Sequence, residues 1–225
     1  MSLAGRTAHP AHQPVPVRSG GFGGAEGLTD YLRRQSVELL VDATHPYAAR
    51  ISRHAELAAA AAGMPALALV RPPWPQTAGD RWRVVGDARQ AVAALGEAPR
   101  RVFLALGRQE IEPFAAAPQH FYLIRSVDPV TPPLAVPQAV YRLDRGPFAA
   151  PDEQRLLAQN GIDAVVAKNS GGTATYAKIA AARALGIEVL LLERPAQSGL
   201  PTVPDVGTAL DRIAHRFASA WKRGV

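Results

Sequence analysis

The hexapeptide Lys168-Asn169-Ser170-Gly171-Gly172-Thr173 gathers an ammonium, a carboxamide, two hydroxyls and two glycines into one short stretch. Glycines let a backbone approach a ligand closely, hydroxyls and N–H groups donate, and lysine adds a compact positive charge. The apolar run Ile162–Ala167 ahead of it reads as a buried strand, and a helix is expected to run from the loop to Leu185, closed by Gly186. A loop between a strand end and a helix N-terminus favours an anion, phosphate or carboxylate. Lys178, a turn or so further on, adds a second ammonium. The plain alternative is a tight turn carrying a solvated lysine. It is not a Walker loop, because the Gly-x-x-x-x-Gly-Lys-Ser/Thr order is absent.

A second polar cluster stands at Asp42, Thr44, His45 and Tyr47. Val37 to Val41 predicts a strand buried on both faces, and Pro46 suits the first turn of a helix capped by Thr44 or His45. In open α/β sheets ligands bind at such carboxyl ends of strands. His45 and Tyr47 are candidates for acid–base work, although Asp42 could equally cap the helix and His45 could simply fill a turn. Leu106-Gly107-Arg108 stands at another predicted strand end, and Leu3-Ala4-Gly5-Arg6 resembles it. An arginine placed there can hold a phosphate or carboxylate bidentately, or it can be an ordinary turn residue. Arg194, after the Leu-Leu-Leu-Glu run, sits at one more carboxyl end. No serine nucleophile elbow and no His-x-x-x-His pair is present, and no metal is expected.

The elements that must position these groups follow from the wider pattern. With 48% hydrophobic and 20% charged residues, the 225-residue chain can build real cores. The absence of cysteine excludes disulfides, thiol nucleophiles and zinc–thiolate sites. No apolar run is long enough to span a bilayer, and no secretory signal is visible, so a cytoplasmic protein is expected. A net charge of +6, without a basic run interleaved with aromatics, suits an anionic small substrate at least as well as nucleic acid, and neither nucleic-acid nor membrane binding is expected. Among 25 basic residues only Lys168, Lys178 and Lys222 are lysines.

Strands alternate with helices along the chain, which implies parallel sheets. The pattern pauses near residues 96–100 and resumes. The expected fold is therefore α/β, with two small Rossmann-like doubly wound domains, residues 1–98 and 99–225, and a ligand cleft between them. Asp87 and Asp152 are expected to cap helices, and a last amphipathic helix is expected from about Val206 to Trp221.

Four blocks taken together resemble the precorrin-6A reductase family of cobalamin biosynthesis. They are Asp42-Ala-Thr-His-Pro-Tyr-Ala48 with Ile51-Ser52, Leu106-Gly-Arg108 with Phe114, Ala167-Lys-Asn-Ser-Gly-Gly172 with Lys178-Ile179 and Ala181-Ala-Arg183, and Glu193-Arg-Pro195. Their order and spacing cover nearly the whole chain. The resemblance implies two Rossmann-like domains and NADPH-dependent reduction of one double bond in the precorrin-6A macrocycle to give precorrin-6B. Under it, Gly5, Arg6, Thr44, His45, Tyr47, Gly107, Arg108, Ser170, Gly171, Gly172 and Thr173 are expected to contact the cofactor. Arg50, Lys168, Asn169, Lys178 and Arg194 are expected to contact the polycarboxylate tetrapyrrole. Family members begin with an extra strand and a Gly-Gly-Thr loop; by that pattern this chain enters at the second strand, without the first βα unit. A monomer or weak dimer is expected. The competing readings are a non-catalytic nucleotide- or tetrapyrrole-binding protein, and a sugar-phosphate or nucleotide-sugar enzyme of similar fold.

Overall fold

The computed structural model describes residues 1–5 and 12–221, so Arg6 and Lys222 lie outside the described residues. In chain order the elements are β1 (Ser2–Leu3), β2 (Arg18–Ser19), α1 (Gly24–Arg34), β3 (Leu40–Asp42), α2 (Ala49–Ala62), β4 (Ala66–Leu69), β5 (Trp82–Val85), α3 (Ala88–Leu95), β6 (Arg101–Ala105), β7 (Phe121–Ser126), β8 (Ala139–Leu143), α4 (Ala150–Gln159), β9 (Ala164–Lys168), α5 (Ala177–Ala184), β10 (Glu188–Leu192), β11 (Thr202–Val203) and α6 (Val206–Trp221). Two short 3-10 turns, Arg108–Glu110 and Glu112–Ala116, stand between β6 and β7. Every strand pair among the described residues is parallel, as the alternation predicts.

The chain divides into one unit of Met1–Pro72 with Pro195–Val225 and a second of Pro73–Arg194. This corrects the expected boundary at 98/99. β5 joins the second unit because it pairs with β10, Trp82 opposite Val189, and α3 packs against the same two strands. β11 returns to the first unit by pairing with β4.

In the first unit the sheet order is β11-β4-β3, with β1 and β2 as a separate parallel pair. Side chains alternate across β4, and the two faces bury different helices. Ala68, with Ala66, packs with Leu28 and Leu32 of α1 and Ala55 and Ala58 of α2. Leu67, with Leu69, packs with Val203, Ala209 and Ile213 on the side of α6. The predicted Val37–Val41 strand is displaced to Leu40–Asp42, and Val41 is 37% exposed, so β3 is not buried on both faces. It lies at an edge of its sheet, where one face has fewer neighbours to cover it. α2 ends at Gly63, whose φ of 67° is a left-handed C-cap that suits glycine. α6 occupies the expected residues, with the Asp205 carboxylate accepting from the Thr208 N–H at 2.8 Å at its start.

The second unit carries six parallel strands in the order β5-β10-β9-β6-β7-β8. One face packs Phe103, Leu123, Val165, Val189 and Leu191 against Leu157 of α4 and Ile179 and Ala182 of α5. On the other face Val102, Leu104, Tyr122, Ile124, Val166 and Leu190 are all buried. Strands covered on both faces read as continuous apolar runs, which is how they stand in the sequence. Asp87 caps α3 as expected, accepting from the Gln90 N–H at 2.8 Å. Asp152 does not cap α4: the helix begins earlier, at Ala150 after Ala149, and Asp152 lies in its first turn, where an acidic side chain still complements the helix dipole.

The order of the six strands creates one special place. From β6 the chain steps outward through β7 to β8, then returns to lay β9 on the other side of β6 and continues to β10. The joint between β6 and β9 is the topological switch point, where loops leave two neighbouring strands in opposite directions.

Candidate functional site

Both sequence motifs of the second unit meet at that switch point. Ala105 of β6 lies opposite Ala167 of β9, so Gly107-Arg108 and Lys168–Gly172 leave adjacent strand ends. The Lys168 Nζ donates to Glu110 Oε1 across the joint at 2.7 Å. Gly107 lines this pair, and a Cβ added there would stand 2.5 Å from Glu110 Oε2. Arg108 and Thr173 are exposed and Ser170 is half-buried. Gly171 and Gly172 have φ of 67° and 69°, two successive left-handed residues that other L-amino acids take only with strain. That backbone delays the helix: α5 begins at Ala177, not directly after the glycines. The loop is thus a longer, glycine-bent segment, and its proposed donors are side chains and loop N–H groups, not the first turn of α5.

Asn169 ties the loop to a neighbouring segment. Its Oδ1 accepts from the Trp74 N–H at 2.7 Å, and its Nδ2 donates to the Trp74 carbonyl at 3.1 Å. The Trp74 Nε1 in turn donates to the Gly172 carbonyl at 2.6 Å. Both ends of one amide therefore fasten the loop to a buried tryptophan, which makes Asn169 a strut of the loop. Asn169→Ala strands two backbone groups and is expected to lower stability by about 1–3 kcal/mol; urea unfolding followed by circular dichroism reads it, and an unchanged midpoint would contradict the assignment. Arg194 donates its Nε–H to the Asn169 carbonyl at 2.7 Å, which brings it to the same loop.

Lys178, expected as a second ammonium beside the loop, is turned inward. It is 4% exposed, donates to the Thr175 carbonyl at 2.7 Å and sits 5.1 Å from the centre of the Trp74 ring. Burial, helped by the Arg125 guanidinium, lowers its pKa from 10.5 to about 7. Beside it Arg125 and Glu153 form a buried two-pronged ion pair, 2.5 and 2.9 Å long, with Phe148 stacked 3.8 Å from the guanidinium. This cluster supports the loop from beneath and offers no surface to a substrate.

In the first unit, the expected helix cap at Thr44 or His45 is replaced by a turn. The Ala48 N–H donates to the His45 carbonyl at 2.7 Å, with Pro46 at the second position of the turn, and α2 starts at Ala49. Asp42 is buried and its Oδ1 accepts from the Thr44 N–H at 3.0 Å, while the Thr44 hydroxyl lies 3.2 Å from that of Ser52. Proline serves equally in a β-turn and in a first helical turn, which is why the sequence pattern does not separate them. His45 is exposed, Tyr47 is half-buried, and their rings stand 5.6 Å apart. Arg50 is exposed in the first turn of α2. Gly5 follows β1 with φ of 71°, its missing Cβ leaving room for the Gly20 backbone at 3.3 Å.

The family model described as Precorrin-6x reductase CbiJ/CobK matches residues 1–214. The chain belongs to this precorrin-6x reductase family. A precorrin-6A reductase of Sinorhizobium sp is 57% identical over 220 residues, covering 98% of this chain and 84% of the relative. A precorrin-6A reductase of Rhodococcus erythropolis is 44% identical over 210 residues, 93% of this chain and 84% of the relative. A solved structure titled CobK precorrin-6A reductase superposes with a TM-score of 0.91 at 48% identity, over 95% of this chain and 85% of that one. The α/β fold with parallel sheets is thus shared with a solved member of the precorrin-6x reductase family.

Two groups in this family member escaped the sequence reading. Glu110 belongs to none of the motifs read from the sequence, and nothing local marks it as the partner of Lys168, 58 positions away. The Arg125–Glu153 pair did leave a signal: Phe121-Tyr-Leu-Ile-Arg-Ser sets a charge inside a strand otherwise buried on both faces. A cation there demands a buried partner.

Proposed function

We propose that this chain reduces one double bond of the precorrin-6A macrocycle at the expense of NADPH, giving precorrin-6B in cobalamin biosynthesis. The observation that carries this reading is the meeting of Gly107-Arg108 and Lys168–Gly172 at the switch point of the second sheet, in a member of this reductase family.

The residues at that joint suit a polyanionic dinucleotide. Arg108, Lys168, Ser170 and Thr173 present two cations and two hydroxyls, and the left-handed Gly171-Gly172 backbone carries no side chain to obstruct a phosphate. NADPH, when bound, supplies a hydride to a ring carbon of the substrate. Arg108, Ser170, Gly171, Gly172 and Thr173 hold and orient its phosphates; Lys168 and Arg194 hold anionic oxygens at the same loop. In the first unit Thr44, His45, Tyr47 and Arg50 are the proposed ligand contacts. Reduction also needs a proton at the ring, which Tyr47, His45 or water delivers.

Loss of NADPH absorbance that depends on added precorrin-6A tests the reading, and binding of both compounds without turnover would assign the chain to the non-catalytic class. Lys168→Ala is expected to weaken anionic-ligand binding about 10- to 100-fold, the worth of a hydrogen bond to a charged group, while the unfolding transition stays cooperative. Equal dissociation constants for NADPH and for substrate before and after the change would remove Lys168 from the site.

A further inference from the structure

Resting on the reading of the β6/β9 joint as an anion site, we propose that Glu110 is its built-in occupant. In the free protein its carboxylate holds the Lys168 ammonium, and it exchanges with a phosphate or carboxylate group of the incoming ligand. Glu110 is on this account a positioning residue that sets how strongly an anion must bind to enter.

The geometry gives the pair a seat made for it. Glu110 Oε1 lies 2.7 Å from Lys168 Nζ, and the two side chains remain 32% and 16% exposed, so a ligand can reach them. Gly107 leaves room for the carboxylate where it stands: a Cβ there would be 2.5 Å from Glu110 Oε2 and 3.8 Å from Lys168 Nζ. Glu110 closes a three-residue 3-10 turn whose N–H bonds the Gly107 carbonyl at 3.0 Å. Its side chain can therefore rotate away without unwinding a long helix. The chemistry requires such a choice. Two anions within a few ångström of one ammonium repel each other, so ligand and Glu110 compete for Lys168. A simple monoanion gains too little to displace a tethered carboxylate, whereas a polyanion anchored elsewhere succeeds. The pair thus works as a selectivity filter against abundant small anions.

The test uses the whole chain and two probes: pyrophosphate for the phosphate source, and uroporphyrin, a polycarboxylate tetrapyrrole, for the carboxylate source. Glu110→Gln keeps the shape and still accepts from Lys168, so its unfolding midpoint should stay near that of the parent. Titration calorimetry at low salt should show roughly tenfold tighter binding of at least one probe by the variant, with the gain shrinking as salt rises. Tighter pyrophosphate names the phosphate as the exchanging group, and tighter uroporphyrin names the carboxylate. In a Lys168→Met background the same Glu110→Gln change should alter affinity by less than about twofold, because the shared partner is gone. Unchanged or weaker binding of both probes by Glu110→Gln overturns the exchange. The reductase reading fails separately, if the parent chain shows no precorrin-6A-dependent NADPH oxidation.

Discussion

Replacing Glu153 by alanine is expected to remove about 3–5 kcal/mol of folding stability, because it leaves the Arg125 guanidinium buried without its counter-charge. Arg125 and Glu153 have side chains 6% and 3% exposed, so water cannot take over the lost bonds. Phe148 and Phe103 flank the guanidinium, their ring centres 3.8 and 4.9 Å from its carbon, which stabilises a cation but supplies no oxygen to replace the lost carboxylate. The loss should appear as a large drop in the urea midpoint of the second unit. The double replacement Arg125→Met with Glu153→Leu should recover most of it, since the pair's own net worth is small against two well-packed apolar residues. A single Glu153→Ala change costing less than about 1 kcal/mol, the range of exposed pairs, would show that the pair is hydrated in solution.

The second large effect concerns Lys178 and depends on pH. Its pKa of about 7 in the folded protein lies below the value of 10.5 for an exposed lysine, through burial and then the Arg125 charge. Between these two pH values the unfolded chain binds a proton that the folded chain does not. Stability therefore rises with pH across that window, by up to about 1.4 kcal/mol per unit from this one group. Below pH 7 the folded amine is protonated too and the contribution levels off. Lys178→Met removes the titration while keeping an unbranched side chain in the same space. The variant should be more stable than the parent near pH 7, and its advantage should shrink steadily towards pH 10. Parallel stability curves from pH 7 to 10 would mean that the amine is solvated in the folded state. Because Lys178 sits under Trp74 and the Gly171-Gly172 loop, the variant also asks whether a neutral support suffices for that loop.

The sequence pattern disclosed those features that depend on neighbours in the chain. Periodicity located α6, the Asp87 cap and the buried strand before Lys168, and the Leu106-Gly-Arg and Lys168–Gly172 stretches stood out as strand-end loops. Features decided by distant pairing did not show. Trp82–Val85 looks like one more strand of the domain before it, and only its register with Val189–Leu192 assigns it to the other sheet. Asn169 looks like a ligand donor, and nothing near it in the sequence shows that Trp74, 95 residues away, bonds both ends of its amide. Lys178 looks like a second cation for an anion site, yet its position on α5 turns the amine inward beneath Trp74. In each case residue type is legible in the sequence, whereas pairing and side-chain direction depend on which elements pack together.

The insertion of Pro73–Arg194 into the first unit has a bearing on how the molecule is made. Strand β4 lies in the middle of its sheet, between β3 and β11, and β11 is not translated until residues Thr202–Val203. The inserted unit has all six of its strands once Leu192 has left the ribosome. Synthesis therefore completes the later-starting unit first, a reversal of the usual N-terminal-first order. Until then the first unit carries an open edge on β4, and that interval is when its Ala66–Leu69 strand is most open to pairing with another chain.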